Sequence, residues 1–151
     1  MSQKPDLYVG LVCAAGTDLS EVKQQLKAQL AVVGYKTEEI KVSAAIAEAL
    51  SIPDHEDDFD RIEALMDGGD KIRDNSEKGS GVASLIVTAL RSRRVGDGPS
   101  GTAFLIDSLK NPKEMEILER VYGRNFLSVS VFSNEDQRRD ILWNRIARSR
   151  K

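Results

Sequence analysis

Three stretches of this chain combine residue types that could do chemistry. The first is the apolar run Leu7–Val12, which stops in Cys13-Ala14-Ala15-Gly16-Thr17-Asp18 before helical spacing begins at Leu19. A strand, a small-residue turn and a helix N-terminus together can hold a phosphate: the first helical N–H groups lack intrahelical partners and carry the positive end of the dipole. Ala14, Ala15 and Gly16 leave room for an anion to reach the backbone, with Thr17 and Asp18 completing the cradle. The second is Asp107, at the end of the buried-strand pattern Thr102–Ile106. Open α/β sheets bind ligands at that edge, where an acid can orient a nucleotide's magnesium, usually through water; capping the turn 108–112 is an equal use for it. The third is the pair Arg61 and Arg73, twelve residues apart and close to one helical face, able to reach one anion or to make ordinary surface salt bridges.

The loop lacks the usual side chain for phosphoryl transfer. Aligned on Gly16, the pattern G-x-x-x-x-G-K-[ST] asks for glycine, lysine and a hydroxyl where the chain has Leu11, Thr17 and Asp18. Without the lysine, Asp18 either repels phosphate or holds it through a metal ion, so nucleotide binding is favoured over transfer and no residue is assigned a catalytic role. The plainer alternative is a simple strand-to-helix connection, capped by Thr17 or Asp18 with Glu21 closing a variant capping box.

Composition narrows the classes further. The 151 residues are enough for one domain with its own core, and a net charge of -2 with 30% charged residues offers no overall case for nucleic acid or membrane. A single cysteine, Cys13, and a single histidine, His55, exclude an internal disulfide and every multi-cysteine zinc site within this chain. No secretory apolar region follows Met1 and no apolar run reaches 18 residues, which points to a cytoplasmic protein with no membrane partner. The acids Asp54, Glu56, Asp57, Asp58 and Asp60 around His55 read as a solvated helix start rather than as a metal site.

The elements that must position these residues alternate. Leu19, Val22, Leu26, Leu30 and Val33 have helical spacing with Gly34 as the stop; Tyr35 to Val42 reads as an outer strand, and 43–50 as a short helix ending before Pro53. Phe59 to Ile72 is helical, with Gly68-Gly69 either bending it or admitting another backbone. Polar connections are expected at 75–81 and 96–101, the latter flexible by composition, and flank a helix over 82–94. After the strand ending at Asp107 come a helix from about Lys113 to Tyr122, a strand Phe126 to Phe132, and a last helix capped by Ser133 or Asn134. Its tail carries Arg138, Arg139, Arg145, Arg148, Arg150 and Lys151 against Asp140 alone: a frayed basic terminus, or a surface for an acidic partner or RNA. The alternation predicts an α/β fold, a three-layer parallel sheet of about four strands flanked by helices.

The motifs Gly10-Leu11-Val12 to Gly16-Thr17-Asp18-Leu19, Arg61-Ile62-x-x-Leu65-Met66-Asp67-x-Gly69-Asp70-x-x-Arg73, and Asp107-Ser108-Leu109-Lys110-Asn111-Pro112 with Val121-Tyr122-Gly123 resemble the N-terminal domain of the bacterial anti-phage deoxycytidylate/dCTP deaminases. The likeness extends over nearly all of the chain, with Asn111 where a histidine is commoner. It implies a phosphate-loop, nucleotide-kinase-like domain that precedes a zinc-dependent deaminase domain. The H-x-E and P-C-x-x-C pattern of that zinc site is missing here, so residues 1–151 are expected to be the regulatory part of a longer deaminase, or a free-standing relative, with no deaminase activity of their own. The resemblance implies a nucleoside triphosphate with magnesium, phosphates cradled by Ala14 to Asp18, Asp107 orienting the metal, and Arg73 with Lys110 supplying charge. The implied partners are a deaminase domain in cis or trans, a second copy of the chain, and a regulatory RNA. The rival expectations are a nucleoside or nucleotide kinase, and an interaction domain for RNA or oligomerisation.

Overall fold

The structure is a computed structural model and describes residues 4–76, 80–94, 96 and 98–150. The order is β1 (Leu7–Val12), α1 (Ser20–Val32), β2 (Lys36–Lys41), α2 (Val42–Leu50), α3 (Asp58–Asn75), α4 (Gly81–Arg93), β3 (Thr102–Leu109), α5 (Pro112–Tyr122), β4 (Phe126–Ser130) and α6 (Glu135–Ser149). The four strands form one parallel sheet in the order β2-β3-β1-β4. This is the α/β arrangement expected from the alternation, consistent with a three-layer nucleotide-kinase-like fold. Residues 77–79 of the first expected connection, and 95 and 97 at the second, lie outside the described residues.

Strand periodicity sorts the core. Tyr8, Phe104, Ile106 and Phe126 face one side and pack with α2, α4 and α5; Val9, Leu11 and Leu105 face the other and meet Val22, Leu26 and Leu30 of α1. Both inner strands are therefore covered on both faces, which is why they read as continuous apolar runs. The outer strand β2 carries Lys36, Glu38, Glu39 and Lys41, charges that suit an edge. The chain leaves β1 for β2 across the α1 face and leaves β3 for β4 across the α5 face. The two connections diverge between β1 and β3, and a crevice opens at the C-terminal ends of those strands.

Three expectations are corrected. The strand runs on through Asp107, which pairs opposite Lys41, to Leu109, with Ser108 at a register shift between them. Helix α3 runs through Gly68 and Gly69 unbroken; both are buried, and side chains rather than another backbone fill the space, Leu50 and Ile52 against Gly68 and Arg73 against Gly69. The basic tail is not frayed but helical to Ser149, and it docks on the acidic start of α3: Arg145 Nε lies 3.1 Å from Asp58, Arg150 Nε donates to Asp57 at 2.6 Å, and Ser149 Oγ accepts from Asp58 N. Two ion pairs thus join the two charge runs across the molecule. Among the described residues no helix is long and apolar enough to cross a membrane.

A charged cluster joins α1, β2 and β3. Glu39 accepts from Lys27 and from Lys23, the latter at 2.9 Å, and Lys23 Nζ lies 3.6 Å from Asp107. The bonds from Lys27 and then Lys23 hold Glu39 down to about 2, from 4.5. A carboxylate depressed on folding stabilises fully above its unfolded value and loses that stabilisation as pH falls through its folded value. Burial raises Asp107, with Lys23 opposing, so its own contribution runs the other way, falling as pH rises above 3.8. Glu39→Gln removes the first dependence and keeps the second. Denaturant midpoints measured from pH 5 down to pH 2 should therefore fall less in the variant than in the parent; an equal or steeper fall would contradict the pairing.

Candidate functional site

The β1–α1 connection is more tightly folded than an open phosphate cradle. Thr17 N donates to Ala14 O at 3.2 Å and Gly16 has φ +81°, the third position of a type II turn, which asks for glycine. A Cβ on Gly16 would lie 2.7 Å from the Arg138 carbonyl and 3.0 Å from Leu142, so the missing side chain makes room for α6. Arg138 Nη1 also donates to Ala15 O at 3.3 Å. Neither Thr17 nor Asp18 caps α1; the N-cap is Leu19, with no side-chain cap. The Asp18 carboxylate instead accepts from Ser20 N at 2.9 Å and from Ser20 Oγ, bonds that lower its pKa. The expected capping box with Glu21 gives way to this local turn. The place where an external anion would meet the helix is thus taken by a carboxylate of the chain itself.

The crevice lies beside that turn. It is a groove of about 380 Å³ walled by Ala14–Thr17, the start of α2, one face of α3, the end of β3 and the middle of α6. Ile46, Ile62, Leu65 and Met66 line it with apolar surface, and Arg61, Arg73, Lys110 and Arg145 bring four cations to it. Ala14, Ala15, Gly16, Thr17, Arg73 and Lys110 of the expected site therefore meet in one place, whereas Asp18 and Asp107 stand outside the wall.

The cations differ in how they are held. Arg145 is paired with Asp58. Arg73 Nε donates to Glu114 at 2.9 Å and its Nη1 to Asp70 at 3.2 Å, and the guanidinium lies across Gly69, where a Cβ would sit 3.0 Å from Nη1. Arg61 and Lys110 make no side-chain hydrogen bond or ion pair among the described residues. Thr17 Oγ1, in the same wall, is buried without a partner. Two unpaired cations and a fixed guanidinium thus stand around an apolar floor, an arrangement whose chemistry suits an anion.

Glu114 sets this geometry, and sequence reasoning missed it. It is fully buried; one oxygen takes Arg73 Nε, and the other takes Lys110 N at 3.1 Å and Asn111 N at 3.2 Å. Asn111 caps α5 in return, accepting from Lys113 N at 2.9 Å, and Pro112 opens the helix. The signal was legible: Asn111-Pro112-x-Glu114 has capping-box spacing. One carboxylate thus fixes both the Arg73 side chain and the backbone that carries Lys110.

Asp107 is bound within the fold. Its Oδ1 accepts from Val42 N at 3.3 Å, capping the first turn of α2, and its other oxygen faces Lys23. Cys13 is buried with Sγ 4.0 Å from Ser108 Oγ. No group of three or more His, Cys, Asp or Glu side chains suited to a metal ion occurs among the described residues.

No known family profile and no curated protein matches the chain. Glu114→Ala leaves Arg73 unpaired against α5 and two N–H groups without an acceptor, so the variant should lose roughly 3 kcal/mol or more in equilibrium denaturation; a loss under about 1 kcal/mol would show that the pair does not organise the site.

Proposed function

We propose that this chain is a nucleotide-binding regulatory domain and that the nucleotide occupies the groove between the ends of β1 and β3. One observation carries this: Arg61 and Lys110, unpaired, converge with the fixed Arg73 on a groove whose other half is apolar. Phosphate suits the cations and a base suits Ile46, Ile62, Leu65 and Met66. The degenerate loop, with Thr17 in place of a lysine, speaks for binding over phosphoryl transfer.

The wider setting rests on the resemblance described above. In that setting the domain belongs to a cytoplasmic deoxycytidine-nucleotide deaminase of anti-phage defence, and zinc chemistry resides in a deaminase domain met in cis or in trans. Phe132 and Trp143, 90% and 73% exposed, are apolar surface of the kind a partner domain covers. The docking of Arg145 and Arg150 on α3 leaves fewer free cations for RNA, which favours nucleotide over RNA as the regulatory ligand.

Thermal unfolding with a panel of nucleosides and nucleotides at millimolar concentration tests the proposal. A ligand selective for the folded state raises the midpoint by mass action, by about 2.7 kcal/mol at a hundred times its Kd. At least one nucleotide should shift the midpoint, its nucleoside should not, and Arg61→Ala with Lys110→Ala should reduce the shift. Substituting Gly16 is the wrong control, since it displaces α6. A panel without any shift, or a shift left undiminished by the double substitution, would refute the assignment.

A further inference from the structure

Magnesium accompanies nucleotide phosphates in phosphate-loop folds because protein carboxylates and phosphate oxygens share the ion. The carboxylates around this groove do not fit that role. Asp18 is bound to Ser20, and Asp107 is bound to Val42 N and faces Lys23, both outside the wall. Glu114 is enclosed by Arg73 and two backbone N–H groups. Asp70 is the one carboxylate in the wall, and its partner is Arg73. A divalent cation entering here would meet the Arg61, Arg73 and Lys110 charges with a single carboxylate already engaged.

The same groups suit an anion that brings no metal. Arg73 is balanced by Glu114, with Asp70 also 3.2 Å from it, and Arg145 by Asp58, so Arg61 and Lys110 are the cations left without a side-chain partner among the described residues. A phosphomonoester carries about -1.5 to -2 at pH 7, which two cations neutralise. A triphosphate brings more charge than that and ordinarily its own magnesium. Resting on the nucleotide-groove assignment, we infer that the groove takes a nucleoside monophosphate free of metal, its phosphate held by Arg61, Lys110 and Arg73 and its base on the apolar wall of α2 and α3. The cations recognise the phosphomonoester, and the apolar wall separates a nucleotide from inorganic phosphate.

Calorimetric titration of the full chain decides the matter. The probes are the four 2′-deoxynucleoside 5′-monophosphates, the matching triphosphates and inorganic phosphate, each in EDTA and in magnesium. At least one monophosphate should bind with the same affinity in both buffers and more tightly than inorganic phosphate. Arg61→Ala with Lys110→Ala should weaken it about tenfold or more while leaving the unliganded melting midpoint in place, since neither side chain has a partner to lose. Binding that appears only with magnesium, or a magnesium triphosphate that outcompetes every monophosphate, would overturn the metal-free inference and leave the nucleotide groove standing. Inorganic phosphate binding as tightly as any monophosphate would overturn the nucleoside half. No binding by any nucleotide in either buffer would overturn this inference and the proposed function together.

Discussion

The buried bond between Glu114 and Arg73 is the constraint on which the rest of the site depends. A carboxylate with no solvent exposure persists as a charge only if its neighbours satisfy it, and Glu114 has three donors: the Arg73 Nε and the N–H groups of Lys110 and Asn111. Those donors come from α3 and from the turn leaving β3, so one side chain fixes the spacing between two walls of the groove. Gly69 completes the seat, because a side chain there would crowd the guanidinium. A buried pair of this kind contributes little net stability against an apolar replacement. What it provides is a fixed direction for a cation in a groove that would otherwise be lined by mobile side chains.

The sheet supplies the place for this arrangement. Connections that leave β1 and β3 over opposite faces open a crevice at the strand ends, and the residues following those strands line it: Ala14 to Thr17 from β1, Ser108 and Lys110 from β3. The third wall comes from α3, and α6 closes the fourth by tying Arg145 and Arg150 to the start of α3 and Arg138 to the turn at Ala15. The turn itself has become a joint. Gly16 gives α6 its approach and Asp18 fills the N-terminus of α1, while the cations stand on side chains across the groove.

Much of the fold was legible in the sequence, because periodicity reports local structure and burial. The apolar runs of β1 and β3, the charged edge of β2 and the apolar spacing of α1 follow from that rule, and six of the eight expected site residues line the groove. What periodicity does not report has one physical cause, the choice of partner for a charged side chain. Asp107 stands at the sheet edge where a metal ligand belongs, but its nearest donors are Val42 N, 65 residues away in the chain, and Lys23. The acidic run near His55 and the basic tail each look like solvated surface until the topology lays one against the other. Glu114 was within reach, since a capping box was written in the sequence, yet its bond to Arg73 crosses 41 residues and belongs to the tertiary fold.

The central claim is that phosphate recognition lies with side chains of α3 and the β3–α5 turn rather than with the N-terminus of α1. A crystal structure of the chain grown with a deoxynucleoside monophosphate tests it most directly. The account predicts phosphate density within hydrogen-bond reach of Arg61, Arg73 and Lys110, with the Asp18–Ser20 turn unchanged. Phosphate density on the first N–H groups of α1, with Asp18 displaced from Ser20, would contradict it.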